Sequence, residues 1–158
     1  MSTEENEELK KALLKASRYC AEQDRAEFDV RRKLGDWKVP EKLHTEIIET
    51  LKKEKFIDEK RFACTFVRSK FRNNRWGRIK IAYALRQKNI PEDLIAESLK
   101  ELKDEDYRRT LKELVAKKAR TIKSDSDYEK KQKVAQSMAS KGYETGLIYE
   151  VVFSDEEV

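Results

Sequence analysis

Glycine and proline are scarce in this 158-residue chain, with four of the first and two of the second. Long helices therefore meet few interruptions, and the turn chemistry that hairpins need is thin. Four scattered glycines also argue against a phosphate-cradling glycine loop. There are two cysteines, Cys20 and Cys64, both inside helical patterns. A disulfide framework or a metal site needs more ligands at tighter spacing, so they read as reduced, partly buried thiols. The single histidine, His44, would have to serve any Cys–His or Ser–His catalytic system. It falls where two related segments carry Ile95 and Ile148, which makes it a packed helix residue. No apolar run approaches membrane-spanning length, and the acidic start Met1-Ser2-Thr3-Glu4-Glu5 lacks the basic and apolar parts of a signal peptide. These absences predict a cytoplasmic, non-enzymatic monomer with no cofactor, no metal and no membrane.

What is abundant is charge: 42% of residues are Asp, Glu, Lys or Arg, and the net charge is +5. The distribution says more than the sum. Between Lys60 and Lys88 stand ten basic residues and no acidic one. The other 129 residues carry the remaining 26 Lys and Arg against all 31 Asp and Glu, a net of −5. One central segment holds the positive excess and predicts attraction to a polyanion or to an acidic protein face.

The chain also repeats itself. Val30, Leu34, Val39, Leu43 and Ile48 reappear as Ile81, Leu85, Ile90, Leu94 and Leu99, and again as Val134, Met138, Tyr143, Leu147 and Val152. The offsets are 51 and 53 residues, and all five positions keep their register. Each copy reads as a long helix (Glu5–Cys20, Asp58–Arg72, Glu105–Ile122), a second (Arg25–Leu34, Arg75–Gln87, Asp127–Ser140) and a third (Pro40–Lys53, Pro91–Leu102, Glu144–Val152). Asp24 to Glu27 and Ser126 to Glu129 have the form of capping boxes, and Asn74 can cap the second helix of the middle copy. Pro40 and Pro91 suit first-turn positions. Gly142 and Asn89 suit a left-handed residue before the third helices, a role that Gly35 can take near Lys38 in the first copy. The expected fold is all-α: three tandem three-helix repeats, residues 9–55, 56–103 and 104–153, stacked into an elongated, curved array. Acidic tails, residues 1–8 and 154–158, are expected to be frayed or solvated.

Within the basic segment, Phe62, Ala63, Phe66, Val67 and Phe71 form the expected buried stripe, while Arg61, Arg68 and Arg72 share another face and point outward. The turn Asn73-Asn74-Arg75-Trp76-Gly77-Arg78 follows, then Lys80, with Trp76 and Tyr83 along one side of the second helix. One reading is a solvated basic face with Trp76 packed against a neighbouring repeat. The other is a cationic surface for phosphate or carboxylate, favoured because unrelieved positive charge repels itself and because Arg outnumbers Lys six to four. The candidate contacts are Arg61, Arg68, Lys70, Arg72, Arg75, Trp76, Arg78 and Lys80, with Arg25, Arg31 and Arg32 as the matching surface on the first copy.

Four stretches resemble one family: Arg25 to Leu34, Phe56-Ile57-Asp58-Glu59-Lys60-Arg61-Phe62-Ala63, Arg75-Trp76-Gly77-Arg78, and Leu85 to Ile90. They look like the RecX family, over roughly Ala16 to Phe153 and most specifically over Ile57 to Ile90; Lys141-Gly142-Tyr143 also fits. Lys55 and Asn89 stand where that family often has glycine, and Thr121 to Ser126 is a longer link. The resemblance implies a recombination and DNA-repair regulator of the SOS response. It would sit in the groove of the RecA filament on DNA and restrain ATP hydrolysis, filament growth and strand exchange. Single- or double-stranded DNA is a weaker partner by the same token. A stand-alone nucleic-acid-binding module, and a protein-interaction scaffold whose charge serves solubility, stay open beside it.

Overall fold

The computed structural model describes residues 2–154, and among them every regular element is helical. The elements are α1 (Thr3–Glu22), α2 (Glu27–Asp36), a 3-10 turn (Glu41–Leu43) leading into α3 (His44–Lys53), α4 (Glu59–Asn74), α5 (Arg78–Gln87), α6 (Glu92–Leu99), α7 (Asp104–Thr121), α8 (Asp127–Ser140) and α9 (Thr145–Val152). The expected acidic stretch Glu4–Glu8 is helical rather than frayed, because Ser2 caps α1 by accepting the Glu5 N–H at 3.1 Å. The other expected tail, Asp155–Glu157, lies outside the described residues.

The five-position repeat has a direct structural cause. Of its fifteen side chains, eleven are buried and none is exposed, so the pattern marks the core. Its five-residue step is the end of a helix. Each of α2, α3, α4, α5 and α8 is followed by a residue at positive φ: Lys38, Lys55, Arg75, Asn89 and Gly142. After α2, α3, α5 and α8 a backbone N–H reaches back five residues, from Val39 to Leu34, Phe56 to Leu51, Ile90 to Leu85 and Tyr143 to Met138 (2.8–3.2 Å). This is the Schellman closure, which pairs an apolar residue before the break with one after it. Leu34/Val39, Leu85/Ile90 and Met138/Tyr143 are the second and third positions of the repeat. Lys38, not Gly35, takes the left-handed conformation, at φ 59°. Gly35 stays inside α2.

Two of the expected caps are corrected. Asp24 does not cap α2; Asp29 does, by accepting the Ala26 N–H at 2.9 Å, and Asp24 turns instead to Arg61 and Thr65. Asn74 is the last residue of α4 rather than the cap of α5, which begins at Arg78, three residues later than expected. Trp76 therefore stands in the turn and not on the helix with Tyr83. Ser126 does cap α8, accepting the Glu129 N–H at 3.1 Å, while its own N–H goes to Ser124 Oγ.

The chain packs as two compact units, one of residues 1–65 with 85–95, the other of 66–84 with 96–158. Helices α4, α5 and α6 contribute to both. The first unit is built on Ala12, Ala16 and Cys20 of α1 against Val30, Leu34, Leu43, Ile47, Ile48 and Leu51. Its rim is Leu13, Tyr19, Trp37 and Phe56. Burying each large aliphatic side chain there contributes about 1.5–3 kcal/mol. The second unit is built on Val67, Ile81, Leu111, Val134, Met138, Ile148 and two tyrosines, Tyr107 and Tyr143, that are 0% and 1% exposed. Their rings lie 5.1 Å apart, and Phe71 stacks on Tyr107 at 5.8 Å. A buried tyrosine hydroxyl must find a partner, and in this unit Tyr143 finds Arg75 in the turn after α4 while Tyr107 finds Arg78 at the start of α5 and Glu144.

Candidate cationic site

Of the candidate arginines in the first unit, three of four are paired. Arg61 lies 2.9 Å from Asp24 and also donates to the carbonyls of Lys55 and Phe56. Arg25 pairs with Glu22 at 3.1 Å, donates to the Tyr19 carbonyl and lies 3.8 Å over the Tyr19 ring. Arg31 and Lys52 share Glu27, and Lys88 meets Asp29 at 2.5 Å. Burial alone would raise the Glu27 carboxyl, but the two cations hold it below the ordinary carboxylate range. Arg32 is the one candidate cation of this unit without an ion pair among the described residues. It lines a groove of about 510 Å³ with Phe28, Arg31, Glu59, Lys88 and Asn89. Glu59 accepts the Glu27 N–H at 3.1 Å at the start of α2, and burial pushes its carboxyl above the ordinary range.

The second unit divides its cations differently. Arg68 pairs with Glu101 at 2.7 Å. Arg78 reaches Glu144 at 3.0 Å and Asp104 at 3.6 Å, and its guanidinium lies 3.8 Å over the Tyr107 ring. Lys70, Arg72, Arg75 and Lys80 have no ion pair among the described residues. Instead Trp76 gathers the two ammonium groups, Lys70 Nζ at 5.0 Å and Lys80 Nζ at 4.8 Å from its ring centroid. The indole's negative face relieves some of the repulsion between them without cancelling their charge. Arg72, Arg75 and Lys80 are exposed, as are Ile79 and Tyr83 nearby in the chain.

The turn carrying this cluster is tied down from the third repeat. Arg75 closes α4 at φ 59°, and its carbonyl accepts the Tyr143 hydroxyl at 3.0 Å. The N–H groups of Gly77 and Ile79 go to the carbonyls of Lys141 (2.8 Å) and Gly142 (2.9 Å). The Arg78 N–H goes to the Tyr107 hydroxyl at 2.9 Å, and that hydroxyl donates to Glu144 at 2.6 Å. The first free donors of α5 are thus satisfied by another segment of the chain and need no side-chain cap of their own. Backbones approach this closely only through glycine. A Cβ on Gly77 would sit 2.4 Å from Gly142 atoms, and one on Gly142 would sit 2.3 Å from Lys80 Cβ. Burial, reinforced by the Glu144 hydrogen bond, pushes Tyr107 far above its ordinary pKa, and burial pushes Tyr143 up to about 12.

Of the residues expected to face a partner, Lys70, Trp76 and Lys80 come together and Arg72 and Arg75 are exposed without an ion pair among the described residues, while Arg25, Arg31, Arg61, Arg68 and Arg78 are engaged with carboxylates of the chain itself. Tyr107, Tyr143 and Glu144 were not foreseen as part of this site. Tyr143 was legible only as an apolar repeat position, and nothing near Tyr107 in sequence marks its hydroxyl. His44 is half-buried, with Nε2 2.9 Å from the Val39 carbonyl, and Cys20 and Cys64 are free thiols. Among the described residues no cluster of metal-binding side chains occurs, and no helix is long and apolar enough to cross a membrane.

Comparison with known proteins gives a consistent result. Residues 58–99 match the family model of the RecX second three-helix domain, and residues 104–152 match that of the third. The regulatory protein RecX of Oceanobacillus iheyensis is 29% identical over 149 residues, covering 94% of this chain and 55% of that protein. The one from Clostridium acetobutylicum is 30% identical over 138 residues, covering 83% and 64%. The chain spans little more than half the length of these curated relatives. A crystal structure of regulatory protein RecX superposes with a TM-score of 0.87 at 27% identity, covering 96% of this chain and 74% of that one. RecX from Lactobacillus salivarius gives 0.85 at 24% identity, covering 97% and 99%, a likeness of fold.

Proposed function

This chain belongs to the RecX family, and from that premise we propose that it is a non-catalytic regulator that binds the RecA filament on DNA. In this reading it restrains ATP hydrolysis, filament extension and strand exchange. The observation that carries it is the set of cations in the second unit without an ion pair among the described residues: Lys70 and Lys80 over Trp76, with exposed Arg72 and Arg75 near them in the chain. Four positive charges with no carboxylate partner cost self-repulsion in the free protein, and an anionic partner removes that cost. Carboxylates lining the filament groove, or the DNA phosphates within it, supply the complement. Arg72 and Arg75 bring the forked geometry that carboxylate and phosphate accept in two hydrogen bonds. Contact at several points along the filament would hold recombinase subunits in one arrangement and hinder the movements that hydrolysis needs.

The test is a recombinase ATPase assay on single-stranded DNA. The wild-type chain is expected to lower the steady-state rate, and the Lys70→Ala/Arg72→Ala/Lys80→Ala variant to need at least about tenfold more protein for the same effect, a loss near 1.4 kcal/mol. Equal inhibition by the variant would contradict the assignment. The alternative, a stand-alone nucleic-acid-binding module, draws on exposed Tyr83 and on Trp76, since bases stack on aromatic side chains beside a basic track. A salt titration against naked DNA, with and without recombinase, separates the two. Tight binding with no gain from the filament favours the module.

A further inference from the structure

The four unpaired cations flank or sit on the turn between α4 and α5, which is unfavourable by itself. Arg75 holds a left-handed backbone at φ 59°, a conformation that costs a residue with a β-carbon about 1 kcal/mol or more. Like charges crowd it, and no side chain of its own segment caps the α5 N-terminus. Besides its own closure onto α4, through the Arg75 and Trp76 N–H groups to the carbonyls of Phe71 and Lys70, the turn is held by residues 107 and 141–144. Two of these compensations are single oxygen atoms. The Tyr143 ring is buried, and its hydroxyl donates to the Arg75 carbonyl, the residue in the strained conformation. The Tyr107 hydroxyl accepts the Arg78 N–H and hands its proton to Glu144, which in turn holds the Arg78 guanidinium.

We propose that Tyr143 and Tyr107 are positioning residues for the cationic site: they touch no partner, yet they set the geometry in which Arg75, Trp76 and Lys80 are presented. The third repeat then contributes to binding through the shape it imposes on the turn after α4. This rests on the reading that the cluster meets the recombinase filament, and it adds which residues make the cluster competent. Both positions can be stripped of the relevant atom without disturbing the rings, since phenylalanine keeps the 5.1 Å ring contact.

The experiment uses the full chain in a Trp37→Phe background, so that Trp76 is the only indole. Tyr143→Phe, Tyr107→Phe and the double variant are compared by far-ultraviolet dichroism, iodide quenching of Trp76 and affinity for recombinase filaments on single-stranded DNA. Iodide is an anion drawn by Lys70 and Lys80, so its quenching constant reports whether the ammonium groups still flank the indole. The expected result is unchanged helicity, a quenching constant altered roughly twofold, and filament affinity lower by roughly fivefold. A general loss of stability would not move quenching in a protein that is still folded. If the double variant unfolds, the single variants decide, with about half the effect on each readout. Unchanged quenching and affinity in folded Phe variants, while Lys70→Ala/Arg72→Ala/Lys80→Ala still loses affinity, overturns the positioning role and leaves the filament reading standing. If that triple variant binds like wild type, the filament reading fails, and the Trp76 quenching then decides the positioning claim alone.

Discussion

Among the residues expected to meet a partner, the two compact units differ. In the first, the candidates Arg25, Arg31 and Arg61 each find a carboxylate in the folded chain, and among the described residues Arg32 alone of the four does not. In the second, Arg68 and Arg78 are paired, but Lys70, Arg72, Arg75 and Lys80 have no ion pair among the described residues, and the two lysines lie over Trp76. A run of basic residues in a sequence counts formal charge. The folded protein converts it into a field only where acidic partners from distant segments are missing. The ten cations of the central segment are therefore not one surface but a set of structural ion pairs with a smaller free cluster among them.

The comparison breaks most sharply at the second unit's glycine junction. Gly142→Ala forces a β-carbon to within 2.3 Å of Lys80 Cβ at a position where φ is 96°. Thermal unfolding should register a loss of about 3 kcal/mol or more, a drop on the order of 10 °C, with filament binding lost in parallel. Next in size is Arg78→Ala. It removes the cation that Glu144 and the Tyr107 ring hold in a half-buried setting, and denaturant unfolding should show about 1–2 kcal/mol lost. Arg61→Ala, whose own side chain is more accessible to water than that of Arg78, should cost under about 1 kcal/mol in the same assay. Equal losses for the two would blur the distinction between the units.

Much of this architecture was legible and some was not, for identifiable reasons. Helix class and repeat register came from periodicity, because Val30, Leu34, Ile81, Leu85, Val134 and Met138 are core residues whose spacing is fixed by helix geometry. The left-handed closure was legible at Asn89 and Gly142, but at Lys38 and Lys55 it was hidden by residues that disfavour that conformation. Glycine or asparagine is what sequence reading looks for there, and lysine is neither. The site was harder still. Which arginine is free depends on Glu101, Glu144 and Asp24, which lie 33, 66 and 37 residues from their partners. No local pattern encodes pairings at that range.

Smaller effects sharpen the contrast from the first unit's side. Burial raises the Glu59 carboxyl, so the folded chain holds that proton more tightly than the unfolded chain does. Stability from this group is full below the ordinary carboxylate pKa and is lost as pH rises through the raised value. Glu59→Gln keeps an acceptor for the Glu27 N–H without the buried charge. Its melting temperature should exceed wild type by one to a few degrees at pH 7, roughly 0.5 kcal/mol, and match it near pH 4. A gain that is equal at both pH values would contradict the burial account. The smallest effect is Lys38→Gly, which relieves a left-handed lysine and should stabilise by about 0.5 kcal/mol in denaturant titration, offset in part by the greater freedom of glycine when unfolded.

The decisive comparison is filament affinity against salt for two sets of alanine variants, Lys70/Arg72/Arg75/Lys80 from the second unit and Arg25/Arg31/Arg61 from the first. If free cations make the contact, the first set loses at least tenfold in affinity and flattens the salt dependence, while the second stays within about twofold of wild type. The reverse order, or equal losses from both sets, would contradict the claim that unpaired charge in the second unit is what the partner meets.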